Sequence, residues 1–180
     1  MTQIDLPTAD SFALMVIISL ATIVLWDAFW LTKQTRDVPH FGVLPNGGYA
    51  WASEGPQEVM RQWGNLFSMA AMMSLPWALI SISKTSIIYG IIWDILLALH
   101  IIYLLLPKRY AVTSTHLFAD GQRYEWSNLR LAKKQPKRRI MLLRKGWGIF
   151  GPLPLGGKHH DLIKAQEVIA QIYRSAQESE

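Results

Sequence analysis

Three long runs of apolar residues occupy the first 106 positions of the chain. They cover residues 11–31, 65–83 and 85–106. A helix rises about 1.5 Å per residue, so each run is long enough to cross about 30 Å of hydrocarbon. The pattern predicts three transmembrane helices. Only Lys84 separates the second run from the third, which predicts a tight antiparallel hairpin.

The segment between the first two spans, residues 32–64, is broken by turn signals such as Pro45-Asn46-Gly47-Gly48. It also contains aromatic side chains, including Trp51, for which a solvated linker has little use. We therefore expect this loop to lie on the membrane surface or against another protein, with Trp51 as a contact residue. The alternative is that it covers the chain's own C-terminal domain, and the sequence leaves both open.

The apolar pattern changes after residue 106. Short strand-like runs alternate with turn signals, and Asp120-Gly121 is typical of a hairpin. Residues 146–157 contain too much Gly and Pro for a central strand. A final helix is predicted because Leu162, Ala165, Ile169 and Ile172 recur at helical spacing. The predicted fold is a helical membrane domain, residues 1–106, followed by a small α+β domain, residues 107–180, with antiparallel strands and one C-terminal helix.

Basic residues are concentrated in the C-terminal part. Of the 18 Lys and Arg residues, 14 follow residue 106, against 6 of the 13 Asp and Glu residues. Cytoplasmic segments of membrane proteins carry an excess of Lys and Arg. We therefore predict a bacterial inner-membrane protein whose N-terminus and hairpin tip lie outside and whose loop 32–64 and tail lie in the cytoplasm. Pro107 should end the third helix, and Lys108 and Arg109 should anchor it at the headgroups.

The tail carries a sequence pattern of its own. The pattern consists of a Tyr-x-hydrophobic-Thr strand, a turn glycine and a Trp-x-x-hydrophobic corner. Its residues are Tyr110, Val112, Thr113, Gly121, Trp126 and Leu129. With the preceding hairpin, residues 66–174 resemble the bacterial pleckstrin-homology-like (PH-like) membrane proteins. That family has no common catalytic motif. The resemblance implies a membrane-tethered interaction domain, and some members accompany or help assemble membrane complexes, including photosynthetic ones.

Acidic and imidazole side chains interrupt the apolar spans, where ionisable groups are costly. Asp94 lies near the middle of the third span, and Ser74 of the second span lies at similar depth and is its predicted partner. His100 is six residues after Asp94, about 240° around the helix, so the two do not share a face. His100 matches Asp27 of the first span in depth, which predicts a bridge between those helices.

Other roles for these residues stay open. Neutral imidazole is a good metal ligand, so His100 is a candidate axial ligand for a haem or a pigment, although no cofactor is predicted. Asp94 and His100 are also the candidates for a proton path if the chain is a small channel or transporter component.

The segment 133–139 is the most basic stretch of the tail. Its candidate binding residues are Lys133, Lys134, Lys137, Arg138 and Arg139. No nucleic-acid-binding motif accompanies them, so the expected partners are anionic phospholipids or an acidic protein. A solvated hairpin turn is the alternative without a binding role.

Several functions are disfavoured by composition. The chain has no Cys, which excludes disulfides and thiol catalysis. His159 and His160 are adjacent and diverge by about 100° on a helix, so they chelate poorly together, and no metal site is predicted. Without a nucleophile–base arrangement, we expect no enzyme. The expected role is a non-catalytic accessory, scaffolding or assembly subunit that contacts other membrane subunits. The alternatives are the proton path and a sensor of anionic lipid.

Overall fold

The computed structural model describes residues 8–45, 47–136 and 138–178, without the side chains of residues 56–58, 61 and 176–178. The chain forms two compact units. Unit 1 contains the chain up to Phe29 together with Val59–Leu106, and unit 2 contains Trp30–Glu58 together with Pro107–Glu180. The predicted boundary at residue 106 coincides with a boundary between the units. The loop does not follow the predicted division, since most of it belongs to unit 2.

Three helices are long and apolar enough to cross a membrane, as the hydrophobic pattern predicted. They are α1 (Ala9–Asp37), α2 (Gly55–Ser83) and α3 (Ile87–Leu105). α2 begins at Gly55, before the second apolar run, and the proline at position 56 suits the first helical turn. Pro76 lies inside α2.

α2 and α3 form the predicted hairpin, joined by residues 84–86. Lys84 adopts a left-handed φ of 55°, and its N–H bonds the carbonyl of Ile80, which ends α2. Ser86 caps α3 by accepting a hydrogen bond from the N–H of Ile88. Gly90 lets the helices approach, since a Cβ there would lie 2.8 Å from Cδ1 of Ile80.

Unit 2 contains a five-stranded antiparallel sheet in the order β1-β2-β3-β4-β5. The strands are β1 (Gly42–Val43), β2 (Tyr49–Ala52), β3 (Arg109–Val112), β4 (His116–Ala119) and β5 (Gln122–Glu125). Trp51 lies opposite Tyr110, so a segment that precedes α2 pairs with one that follows α3. Asp120 and Gly121 both have positive φ, and they form the predicted β4–β5 turn.

A second antiparallel sheet has the order β6-β7-β8. It comprises β6 (Leu129–Leu131), β7 (Ile140–Arg144) and β8 (Pro152–Leu155). The Gly- and Pro-rich segment thus supplies an edge strand, where Pro152 and Pro154 are tolerated. α4 (His159–Glu178) follows.

The main core of unit 2 lies between the two sheets and α4. Buried side chains reach it from every layer, among them Trp51, Tyr110, Leu117, Ile140, Leu155 and Ile169. Leu162, Ala165 and Ile169 of α4 are buried and Ile172 packs against them, as the helical spacing predicted. The opposite face of the five-stranded sheet buries Ala50 and Ala111 against Val38 at the end of α1. These elements establish a mixed α+β architecture.

Candidate functional site

The first polar contact of unit 1 joins α1 to α3. His100 Nδ1 lies 2.5 Å from Asp27 Oδ2, and both side chains are largely shielded from solvent. The structure therefore brings together the two residues that their depth had paired. Because Nδ1 is engaged by the carboxylate, Nε2 is the ring nitrogen left for a metal of a haem or pigment.

The second polar contact joins α2 to α3. Trp77 Nε1 donates a 2.8 Å hydrogen bond to Asp94 Oδ2. Ser74, the predicted partner of Asp94, instead donates to the carbonyl of Ala71 in its own helix. The partner of Asp94 lies on α2, as predicted, but it is Trp77 rather than Ser74. The short hydroxyl of a serine is readily satisfied by a carbonyl in the preceding turn of its own helix. Asp94 Oδ1 is buried, and no hydrogen bond to it occurs among the described residues.

These two contacts involve different helix pairs. Asp94 faces α2 and His100 faces α1, in agreement with their separation around α3. Trp93 adds a third contact, from its Nε1 to the carbonyl of Met72. Polar side chains that bridge helices in this way stabilise membrane bundles. In the described part of the chain, no group of three His, Asp or Glu residues could hold a metal ion.

An apolar cavity of about 340 Å³ lies among the three helices of unit 1. Its walls include Phe12, Val16, Leu79, Ile80, Tyr89 and Trp93. Ser83, Thr85 and Tyr89 contribute hydroxyls to this lining. Such a cavity suits a hydrocarbon chain rather than an ion.

Trp51 does not lie on a surface. It is 1% exposed, and its Nε1 donates a 2.8 Å hydrogen bond to the carbonyl of Gly156. Gly157 packs against the indole so closely that a Cβ would lie 2.7 Å from Trp51 Cδ1. The loop therefore packs on the chain's own C-terminal domain, which was the second of the two alternatives, and β2 is part of the sheet of that domain. Trp51 is thus unavailable to an outside partner.

Lys108 and Arg109, the predicted headgroup anchors, make their contacts inside unit 2. Lys108 Nζ lies 2.7 Å from Asp120 Oδ1. Arg109 donates to the carbonyl of Val38 and stacks over the ring of Phe41. The difference arises because β3 begins at Arg109 and pairs with β2, which brings these side chains against the end of α1 and the β4–β5 turn.

The basic turn comprises the described residues 132–136 and 138–139, each of which is exposed or half-buried. Gln135 holds it through hydrogen bonds from its side chain to the carbonyls of Ala132 and Met141 and to the N–H of Met141. Of the basic side chains in this turn, Lys133, Lys134 and Arg138 are exposed and Arg139 is half-buried. Among the described residues, no carboxylate pairs with them. Lys137, also predicted to bind, lies outside the described residues.

A second exposed segment escaped prediction. Trp147, Ile149 and Phe150 lie in the connection between β7 and β8 with most of each side chain in solvent. Its glycines had indicated only a poor strand. The available signal was the alternation of glycine with large apolar residues in Gly146–Gly151, directly after two basic residues.

Tyr49 and Asp161 connect β2 to the first turn of α4. The Tyr49 hydroxyl donates a 2.6 Å hydrogen bond to Asp161 Oδ1. Burial of the phenol, and then this bond to a carboxylate, raise the pKa of Tyr49 to about 12. The tyrosine is therefore a neutral donor at physiological pH. This hydrogen bond links β2 to α4.

Comparison with known proteins gives no relative from which a role could be transferred. No protein-family model, curated protein or solved structure matches the chain. A role must therefore be argued from the helix-bridging contacts, the exposed basic turn and the fold of unit 2.

Proposed function

We propose that the protein is a membrane-anchored, non-catalytic accessory subunit that scaffolds or assembles a larger complex of the bacterial inner membrane. In this role the three helices provide the anchor, and unit 2 is a cytoplasmic PH-like domain that docks an acidic surface of a partner subunit. The arrangement of two antiparallel sheets and a C-terminal helix supports the PH-like assignment. The strand β2, contributed from before α2, is an addition to it.

The exposed basic turn is the observation that carries this proposal. It offers Lys133, Lys134 and Arg138 without a carboxylate partner among the described residues. Gln135 holds the described part of the turn through three hydrogen bonds, two of them to Met141 of β7, and groups that are already held in place lose less entropy on association. Charge complementarity across an interface directs partner choice and the association rate.

The polar contacts of unit 1 support anchoring over transport. Asp27 and His100 bridge one helix pair, and Asp94 and Trp77 bridge another. These four side chains connect neighbouring helices, and the two contacts occur on different sides of α3. A proton path through Asp94 and His100 would need a relay between those two sides.

Native mass spectrometry of protein extracted gently from its own membranes tests the proposal. Wild-type protein should carry a defined set of membrane subunits. The double variant Lys133→Glu/Lys134→Glu should lose them, with association weakened at least about tenfold because like charges would face each other. The variant Arg123→Glu/Arg174→Glu changes the net charge equally at exposed positions elsewhere and should retain them.

Two results would count against the accessory role. A wild-type protein that purifies as a clean homo-oligomer would favour transport or lipid sensing. Equal loss of subunits in both double variants would show a general charge effect rather than docking at the basic turn. Proton flux into liposomes containing the Asp94→Asn variant would then decide whether this carboxylate conducts.

A further inference from the structure

The tip loop, residues 145–151, joins β7 to β8 and displays three large apolar side chains. Trp147 is 52% exposed, Ile149 87% and Phe150 70%. Soluble surfaces rarely cluster side chains of this size on one short turn without a partner. The tip loop is therefore the strongest candidate in unit 2 for contact with an apolar phase.

This display is built into the backbone. Lys145 N–H bonds the carbonyl of Asn128, and Phe150 N–H bonds the carbonyl of Trp147. Gly146 and Gly148 have backbone φ values of 81° and 52°, which residues other than glycine rarely adopt. The Arg144 guanidinium lies 4.2 Å from the centroid of the Trp147 ring and donates to the carbonyl of Phe150. The loop is thus held with its apolar side chains outward.

The stretch of sequence that contains the tip loop is basic. Residues 126–160, which include the whole β6-β7-β8 sheet, contain nine Lys or Arg residues and no Asp or Glu. Arg144 and Lys145 lie at the base of the loop itself. Tryptophan is enriched at membrane interfaces, and cations close to an anionic leaflet are attracted to it.

We propose that the tip loop inserts Trp147, Ile149 and Phe150 into the interface of an anionic lipid bilayer, with Arg144 and Lys145 at headgroup level. A short convex turn suits shallow insertion of 5–10 Å, as for other interfacial anchors. A protein partner would require a matching pocket, whereas a bilayer accepts any apolar protrusion. The connection from α3 to β3, residues 106–108, joins unit 2 covalently to a helix that is long and apolar enough to cross a membrane.

This inference is separate from docking at the basic turn. Leu131 lies opposite Leu142 and Leu129 lies opposite Arg144, so the basic turn and the tip loop are at opposite ends of β7. A strand of five residues separates them by about 14 Å. Insertion of the tip loop would therefore leave the basic turn available to an acidic partner.

Site-directed spin labelling tests the insertion, because the chain has no native Cys. The full-length protein would carry a single label at Ile149→Cys, with Phe150→Cys as a second position and Gln171→Cys, exposed on α4, as the matched control. Each purified variant would be reconstituted into vesicles of phosphatidylcholine alone or with phosphatidylglycerol. Collision with oxygen, which concentrates in lipid, would be compared with collision with a water-soluble nickel complex.

Insertion predicts a several-fold higher ratio of oxygen to nickel accessibility at positions 149 and 150 than at 171. The ratio should be greatest with phosphatidylglycerol and fall when Lys145→Gln is added. Water-like accessibility at 149 and 150 in both vesicle types would overturn the proposal. Protection that appears only in native membranes would also overturn it, and would assign the loop to a protein partner. Because the vesicles contain only the purified protein, the vesicle result does not depend on the accessory role.

Discussion

A carboxylate inside an apolar span destabilises a membrane protein unless a neighbouring group compensates for its transfer from water. Asp27 and Asp94 obtain this compensation in different ways. Asp27 is paired with a titratable imidazole, and Asp94 accepts from an indole that has no charge. At the residue scale, the pairing of Asp27 with His100 is the contact whose removal should affect the bundle most.

Replacing Asp27 with Asn should lower the thermal stability of the protein in detergent. The expected cost is about 0.6–1.7 kcal/mol, the range for polar contacts between helices in membranes. In a His100→Gln background the same change should add little, since the contact is already lost. Thermal unfolding of the two single variants and the double variant would measure this coupling. Strictly additive effects would mean that the two side chains do not interact.

Replacing Tyr49 with Phe should destabilise unit 2 by about 1 kcal/mol at neutral pH, because Asp161 loses its donor. The folded state favours the neutral phenol. The contribution of the Tyr49 hydroxyl to stability is therefore complete below pH 10. It declines as the pH rises from 10 towards the raised pKa of about 12. Melting curves should show the gap between wild type and variant narrowing over that range. A gap independent of pH would contradict the raised pKa.

At the scale of elements, β2 is the least expected part of the fold. It is four residues long, yet it pairs along its whole length with β3 and brings Trp51 into the core. Gly157 and the carbonyl of Gly156 receive the indole, so the end of β8 and the start of α4 are shaped around this one side chain. The strand is therefore a structural component of unit 2.

Replacing Trp51 with Ala should lower the free energy of unfolding of unit 2 by about 3–5 kcal/mol, as expected for a large buried aromatic. Val43→Ala provides the control in the neighbouring strand, since Val43 is 77% exposed and should cost less than about 0.5 kcal/mol. Limited proteolysis of the purified variants would compare them. Normal stability in Trp51→Ala would mean that β2 is not part of the core.

At the scale of the whole molecule, the chain passes three times between its units. Unit 2 takes residues 30–58 from the first connection and the entire tail. Because antiparallel pairing requires both partners in one compartment, the pairing of β2 with β3 places that connection and the tail on the same side of the membrane. The excess of basic residues on this side is the basis of the prediction that it faces the cytoplasm.

Single cysteines should report this orientation. A membrane-impermeant maleimide should label Thr85→Cys at the hairpin tip in intact spheroplasts. It should label Gln171→Cys on α4 only after the membrane has been permeabilised. The reverse pattern would place unit 2 outside and would contradict the orientation inferred from the distribution of basic residues.

The sequence alone determined the features that depend on local patterns. Run length specified the three spans, the Asp120-Gly121 pair specified a turn, and helical spacing specified the buried face of α4. Depth along parallel spans was enough to pair Asp27 with His100, because helix geometry converts residue number into position. Exposure of the basic turn also followed from its charge density.

Only the tertiary structure decided the contacts between distant segments. Trp51 looked equally suited to a partner surface and to a core, because an aromatic residue in a loop serves either. Trp77 could not be preferred over Ser74, since side-chain direction on α2 depends on how the helices pack. The tip loop was missed because its Gly and Pro content indicated only a poor strand, while its conformation is set by hydrogen bonds to Asn128 and Arg144. These contacts depend on pairing between segments that are distant in the sequence, and such pairing leaves no local sequence pattern.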